Sequence, residues 1–130
     1  MLIKGWKSEY SVNIKQMDED HQKLINVITA LMESMRTGQT FEIASNLIKD
    51  LESYSLIHFM REESYLKAIE HPDLQEHKEQ HKVFIKKIKE IKAASANGNK
   101  LIAIQMLPFI NQWFINHVLK MDMKYKSEKV

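Results

Sequence analysis

The chain has 130 residues, 44% of them hydrophobic and 28% charged, enough for one domain with a buried core. Its formal net charge of +2 is too small to argue for nucleic-acid binding, and the absence of cysteine excludes disulfides, thiolate metal sites, iron–sulfur clusters and cysteine nucleophiles. The opening MLIKGWKSEY lacks the apolar run of a signal peptide, and no stretch approaches the roughly 20 apolar residues of a membrane span, so no membrane insertion and a cytoplasmic address are expected.

With three Gly and two Pro, the chain has little turn material and reads as long helices. Residues 1–17 scatter Trp6, Tyr10, Val12 and Ile14 among charges without a helical period, which predicts an ordered arm anchored by Trp6. A first helix is expected from Asp18, a good N-cap type, through Leu24, Ile28, Leu31 and Met35 to Gly38. A second begins after Thr40, carries Ala44, Leu47, Leu51 and Tyr54 on one stripe and ends around Lys67, before the His71-Pro72 break. The third opens near Asp73, continues through Phe84, Ile88 and Ile91, and ends by Asn97-Gly98. The fourth runs from about Asn99 to Tyr125, with Pro108 expected to kink or break it, and residues 126–130 are expected to fray. Short connections between four amphipathic helices predict an all-α, up-down-up-down four-helix bundle over 18–125, within a single domain covering 1–130.

Five of the six histidines fall into a spaced set with two carboxylates: His21, His58-x3-Glu62, His77-x3-His81 and His117-x4-Asp122. Each histidine lies three, four or seven residues from apolar members of its helical stripe, such as His21 with Leu24, Ile25 and Ile28, or His117 with Ile110, Trp113 and Phe114. All five therefore point inward. In an alternating bundle the starts of the first and third helices share an end with the finishes of the second and fourth, which puts all seven side chains within two to three turns of each other. Asp122 is the awkward member, because five residues advance roughly 140° around a regular helix. A widened, π-type turn or a long sideways reach is expected there.

Five imidazoles and two carboxylates in one apolar layer need a strong common partner, since an unpartnered buried polar group costs about 1–3 kcal/mol and an unpaired charge more. A metal pair provides it. Five nitrogens and two carboxylates bridging through both oxygens give nine donor bonds, and a bridging oxo or hydroxo group adds two. Two octahedral ions need twelve, so one position stays open for a small molecule such as O2. Donors of nitrogen and oxygen alone suit iron, manganese, zinc or copper, and bridging carboxylates favour two Fe ions. A structural zinc site takes four ligands, usually with cysteine. Ferritin-like centres use about four carboxylates, whereas this set has two and less anionic charge for strong oxidising chemistry.

These residues resemble the hemerythrin family, in particular its single-domain bacterial members, over nearly the whole chain. The likeness includes Trp6, Glu9-Tyr10-Ser11-Val12, Met17-Asp18-Glu19-Asp20-His21, His58-Phe59-x-x-Glu62-Glu63, His77-x3-His81 and Trp113-x3-His117-x4-Asp122-x2-Tyr125. The resemblance implies one iron on His77, His81 and His117, a second on His21 and His58, and bridges from Glu62 and Asp122. It implies an oxo- or hydroxo-bridged pair that takes up O2 reversibly at the open position of the second iron, in a pocket bordered by Leu24, Phe59, Trp113, Phe114 and Val118. The bacterial proteins often carry leucine three residues before the last histidine, where this chain has Phe114, so access to the pocket is expected to differ.

The expected function is thus a non-enzymatic O2 carrier, store or local supplier, a monomer with an unidentified oxygen-consuming protein as candidate partner. The alternatives are O2 or redox sensing, protective handling of iron, peroxide or nitric oxide with weak peroxidase-type activity, and a structural zinc bundle, which the open position disfavours. Outside the set, His71 reads as a solvent-exposed loop residue. Glu63, about 100° around from Glu62, reads as surface in preference to a supporting role. Lys82, Lys86, Lys87, Lys89 and Lys92 read as a solvated helix face.

Overall fold

The structure is a computed structural model describing residues 2–38, 40–99 and 101–127. Helices α1 (Lys15–Thr37), α2 (Thr40–Ala68), α3 (Leu74–Ala96) and α4 (Ile102–Trp113) form an antiparallel four-helix bundle. Beyond Trp113 the fourth helix widens into a π-helical stretch, Phe114–Met121, then tightens into a 3-10 turn, Asp122–Tyr125. It passes through Pro108 without a break, because that ring lies on the exposed side and the carbonyl it leaves unpaired belongs to solvent-facing Ile104. Among the described residues no helix is long and apolar enough to cross a membrane.

The helix ends follow local chemistry. Rather than opening at Asp18, α1 starts at Lys15, and the Asp18 carboxylate reaches back to accept from the Val12 N–H (2.8 Å) and the Ser11 hydroxyl (2.5 Å). Its other end is closed by Gly38 at φ +79°, whose N–H bonds the Ser34 carbonyl. Past the end of α2, Glu70 takes the same left-handed conformation at φ +54°, and the His71 N–H returns to the Leu66 carbonyl at 2.9 Å. His71 is half-buried, not solvent-exposed as expected, because its Nδ1 accepts the Asp73 N–H at 3.1 Å.

Trp6 is only half-buried, and the arm is held instead by Ile3, Tyr10 and Val12, all buried, with the Ile3 N–H donating to Asn111 Oδ1 at 2.7 Å. The apolar rows of an irregular arm carry no period, so its anchors are not readable from spacing. The other chain end differs from expectation as well. The Lys126 N–H closes the 3-10 turn on Met123 O (3.2 Å), and Ser127 bonds the arm, its N–H to Val12 O (2.9 Å) and its carbonyl accepting from Asn13 Nδ2–H (3.0 Å). The rest of the expected frayed tail, 128–130, lies outside the described residues.

Two apolar clusters form the interior. The larger runs along the bundle through Leu24, Ile28, Leu51, Phe84, Ile110 and Phe114. The smaller, Val12, Met17, Leu66 and Tyr125, closes one end. The seven polar residues lie between them on every helix: His21 between Met17 and Leu24, Glu62 between Phe59 and Leu66, His81 before Phe84, and Asp122 between Val118 and Tyr125. Each fully buried Leu, Ile or Phe contributes about 1.5–3 kcal/mol, so these clusters can carry the cost of a polar layer.

Of the left-handed positions, Gly38 and Glu70 give a matched test. Open space surrounds the missing Cβ of Gly38, so Gly38→Ala costs only the backbone strain, about 1 kcal/mol. Glu70→Gly relieves the same strain and stabilises by a similar amount. Urea unfolding of both variants checks this, and equal signs for the two would contradict it.

Candidate metal centre

Helix register delivers His21, His58, Glu62, His77, His81, His117 and Asp122 to one layer, and all seven are buried, none more than 1% exposed. Asp122 reaches that layer because the helix is locally π-helical. The Asp122 N–H bonds the carbonyl of His117, five residues back, which brings the two residues onto one face. The widened turn expected from the spacing is therefore present.

The two carboxylates divide their oxygens between two groups of histidines. Glu62 Oε2 lies 3.2 Å from His58 Nε2, while Oε1 lies 2.8 Å from His81 Nε2 and 3.6 Å from His117 Nε2. Asp122 Oδ2 lies 3.1 Å from His21 Nε2, and Oδ1 lies 3.0 Å from His77 Nε2 and 3.2 Å from His117 Nε2. Two overlapping sets of donor atoms result, each within 4.8 Å: His21, His58, Glu62 and Asp122, and Glu62, His77, His117 and Asp122. His81 stands outside the second set but contacts the oxygen of Glu62 that faces it.

Three observations fit this layer to a pair of cations. First, His21 Nε2, His58 Nε2, His117 Nε2 and Asp122 Oδ2 are buried without a hydrogen-bond partner among the described residues, although each lies 3.1 or 3.2 Å from a nitrogen or carboxylate oxygen of the layer. Secondly, neighbouring donors on an octahedral ion at about 2.1 Å lie about 3.0 Å apart, and most of the nitrogen–oxygen separations here are of that size. Thirdly, four of the five rings donate their outer N–H elsewhere, which leaves Nε2 as a lone-pair donor facing inward. His58 Nδ1 donates to Asp20 (2.8 Å), His81 Nδ1 to Glu63 (2.8 Å), His117 Nδ1 to Gln80 Oε1 (2.6 Å) and His77 Nδ1 to the Asp73 carbonyl (3.1 Å). His21 Nδ1 alone has no partner among the described residues.

Glu63 is thus not the surface residue it was expected to be. It reaches across to α3, because a neighbour of Glu62 on the helix edge faces the adjacent helix. Asp20 and Gln80 were not singled out as partners of the set. Asp20 is 1% exposed and also takes an ion pair from Arg61. Each of the three sits next in sequence to a residue of the set, which is the signal that could have found them. Tyr125 donates its hydroxyl to Glu62 Oε2 at 2.7 Å.

Aromatic rings wall the layer. Phe59 stacks on His81 at 3.9 Å and 3°, Trp113 on His117 at 4.1 Å and 12°, and Tyr54 on His58 at 5.0 Å and 19°. Leu24, Phe114 and Val118 are fully buried beside them, and Phe114 is wedged edge-on against Tyr10 of the arm at 5.4 Å.

Without cations, protons must balance the charge. Burial pulls His58 and His117 toward neutrality, but Glu62 and Asp20 around His58, and Asp122 and Glu62 around His117, outweigh it and raise both to about 9. Burial disfavours the charge on Glu62 as well, yet the surrounding imidazoles hold its pKa well below the ordinary range; Asp122 is likewise lowered despite burial and the nearby Glu62 charge. The stability from the raised histidines is complete below their unfolded pKa near 6.5 and is lost as pH rises toward 9. The metal-free protein is therefore expected to lose several degrees of Tm between pH 6.5 and 9. The metal-loaded protein, whose histidines are already deprotonated, should lose much less. A metal-free Tm that stays level or rises across that window would overturn this account.

A family model, the Hemerythrin HHE cation binding domain, matches residues 12–128. A bacteriohemerythrin of Clostridium acetobutylicum is 31% identical over 92% of this chain and 96% of its own. A myohemerythrin of Theromyzon tessulatum is 30% identical over 95% and 91%, and a bacteriohemerythrin of Stenotrophomonas maltophilia 23% identical over 98% and 82%. With its antiparallel bundle and two overlapping buried His/Glu/Asp clusters, the chain belongs to the hemerythrin family.

Proposed function

We propose that this chain binds O2 reversibly at a non-haem di-iron centre and serves as a carrier, store or local supplier of oxygen. The observation that carries the reading is the division of Glu62 and Asp122 between two unequal groups, three histidines on one side and two on the other. In this reading His77, His81 and His117 would hold one iron, His21 and His58 would hold the other, and Glu62 and Asp122 would be shared between them. The two-histidine side, with one protein ligand fewer, would leave room for O2. Two iron ions held there would supply the reversible two-electron chemistry that O2 uptake and release require.

The remaining work falls to the chain. Leu24, Phe59, Trp113, Phe114 and Val118 keep the layer dry, which disfavours escape of charged, partly reduced oxygen into water. The stacked rings of Phe59, Trp113 and Tyr54 fix the imidazole planes. Asp20, Glu63, Gln80 and the Asp73 carbonyl fix their tautomers. Two carboxylates lend little anionic charge to high-valent oxidising chemistry, so binding is favoured over enzymatic turnover.

Anaerobic reduction followed by O2 titration tests the reading. A visible charge-transfer band should appear with O2 and vanish on deoxygenation. Immediate irreversible oxidation would sink the carrier reading and favour sensing or protective chemistry. Because Glu62 is shared, Glu62→Ala should deplete iron on both sides of the centre, whereas His21→Ala should deplete the two-histidine side first. Equal iron loss in the two variants would show that Glu62 does not bridge.

A further inference from the structure

The two histidine groups also differ in what lies behind them. Two clefts on the described surface make the difference visible. One, between α2 and α3, has a volume of about 400 Å³ and stops at Phe59 and Glu63, with no residue of the seven in its walls. The other, between α1 and α2, has a volume of about 360 Å³, and His58 is part of its lining. The helices that form this second cleft are the two that carry His21 and His58.

We propose that the α1–α2 cleft is the entry route for small neutral diatomic molecules to the two-histidine side of the centre. The proposal rests on the O2-binding reading for its cargo, but the route itself stands on the cavity. Its inner wall is Leu24, one turn beyond His21, and Tyr54, one turn before His58 and stacked upon it. Both side chains are buried, and Tyr54 joins the cleft to the metal layer through its stacking on His58. Tyr54 and His58 therefore stand between the cleft and the two-histidine side, while the apolar walls of Val27, Leu47 and Leu51 favour an uncharged gas over ions. Of the charged lining residues, Lys23 and Asp50 are exposed, while Asp20 is buried and already engaged by His58 and Arg61.

An entry route has a kinetic signature that a binding contact lacks. Narrowing it slows association and dissociation by the same factor and leaves the equilibrium affinity unchanged. Ile57 is 48% exposed and lines the cleft, so Ile57→Trp adds bulk there without disturbing the buried layer. Ser53→Phe, also exposed, does so from a second position. In iron-loaded protein both should lower the O2 association and dissociation rates together, by about tenfold, at constant affinity. Met60→Trp, in the α2–α3 cleft, should leave both rates unchanged. Xenon under pressure should occupy the α1–α2 cleft of the crystalline protein and be displaced in Ile57→Trp.

If the wild type fails to bind O2 reversibly, the carrier reading falls. The route is then judged with nitric oxide, a neutral diatomic that binds reduced iron regardless. Unchanged nitric oxide and O2 rates in both cleft-filling variants, or equal slowing in Met60→Trp, would overturn the route.

Discussion

Two carboxylates held in common by five imidazoles are the interaction on which the rest of this protein depends. Glu62 and Asp122 are fully buried, and neither could keep its charge in an apolar core without compensation. Each gives one oxygen to each side of the layer, so they join the two histidine groups into one polar unit. The helices must then align at this level. The Phe114–Met121 stretch departs from α-helical geometry here and brings both residues to one face, which a regular helix could not do across the five-residue step from His117 to Asp122.

The layer is stabilised from outside by a crossed pattern. Asp20 neighbours His21 but bonds His58; Gln80 neighbours His81 but bonds His117; Glu63 neighbours Glu62 but bonds His81. A residue one step along a helix points about 100° away from its neighbour, and in a bundle that direction leads to the next helix. Each of these helices thus presents donors to the centre and orienting groups to the adjacent helix's donors. This crossing ties ligand geometry to helix packing, so a shift between helices disturbs both at once. It also leaves His21 as the one ring without an outer partner among the described residues, on the two-histidine side that borders the cleft.

Spacing made the inner layer legible, because residues three and four apart share a face in any helix and short connections fix the direction of each helix. The five-residue step from His117 to Asp122 even announced its own π turn. The outer partners were harder to read: which residue Asp20 or Gln80 meets depends on the rotation of two helices against each other, and one helix's register does not contain that. The arm shows the same limit. Ile3 and Tyr10 anchor it, not Trp6, since an irregular segment has no period from which burial can be inferred. Likewise Asp18 has the chemistry of an N-cap, and only the fold of the arm reveals that it bonds Ser11 and Val12 three residues inside the helix.

The central claim is that the shared carboxylates organise one coupled pair of metal ions and not two separate sites. Mössbauer spectroscopy of the protein loaded with iron-57 and oxidised tests it most directly. The account predicts high-spin ferric doublets that show no magnetic splitting at low temperature in an applied field beyond that of the field itself, the signature of an antiferromagnetically coupled, diamagnetic pair. A paramagnetic spectrum from isolated ferric ions, at any loading, would contradict it.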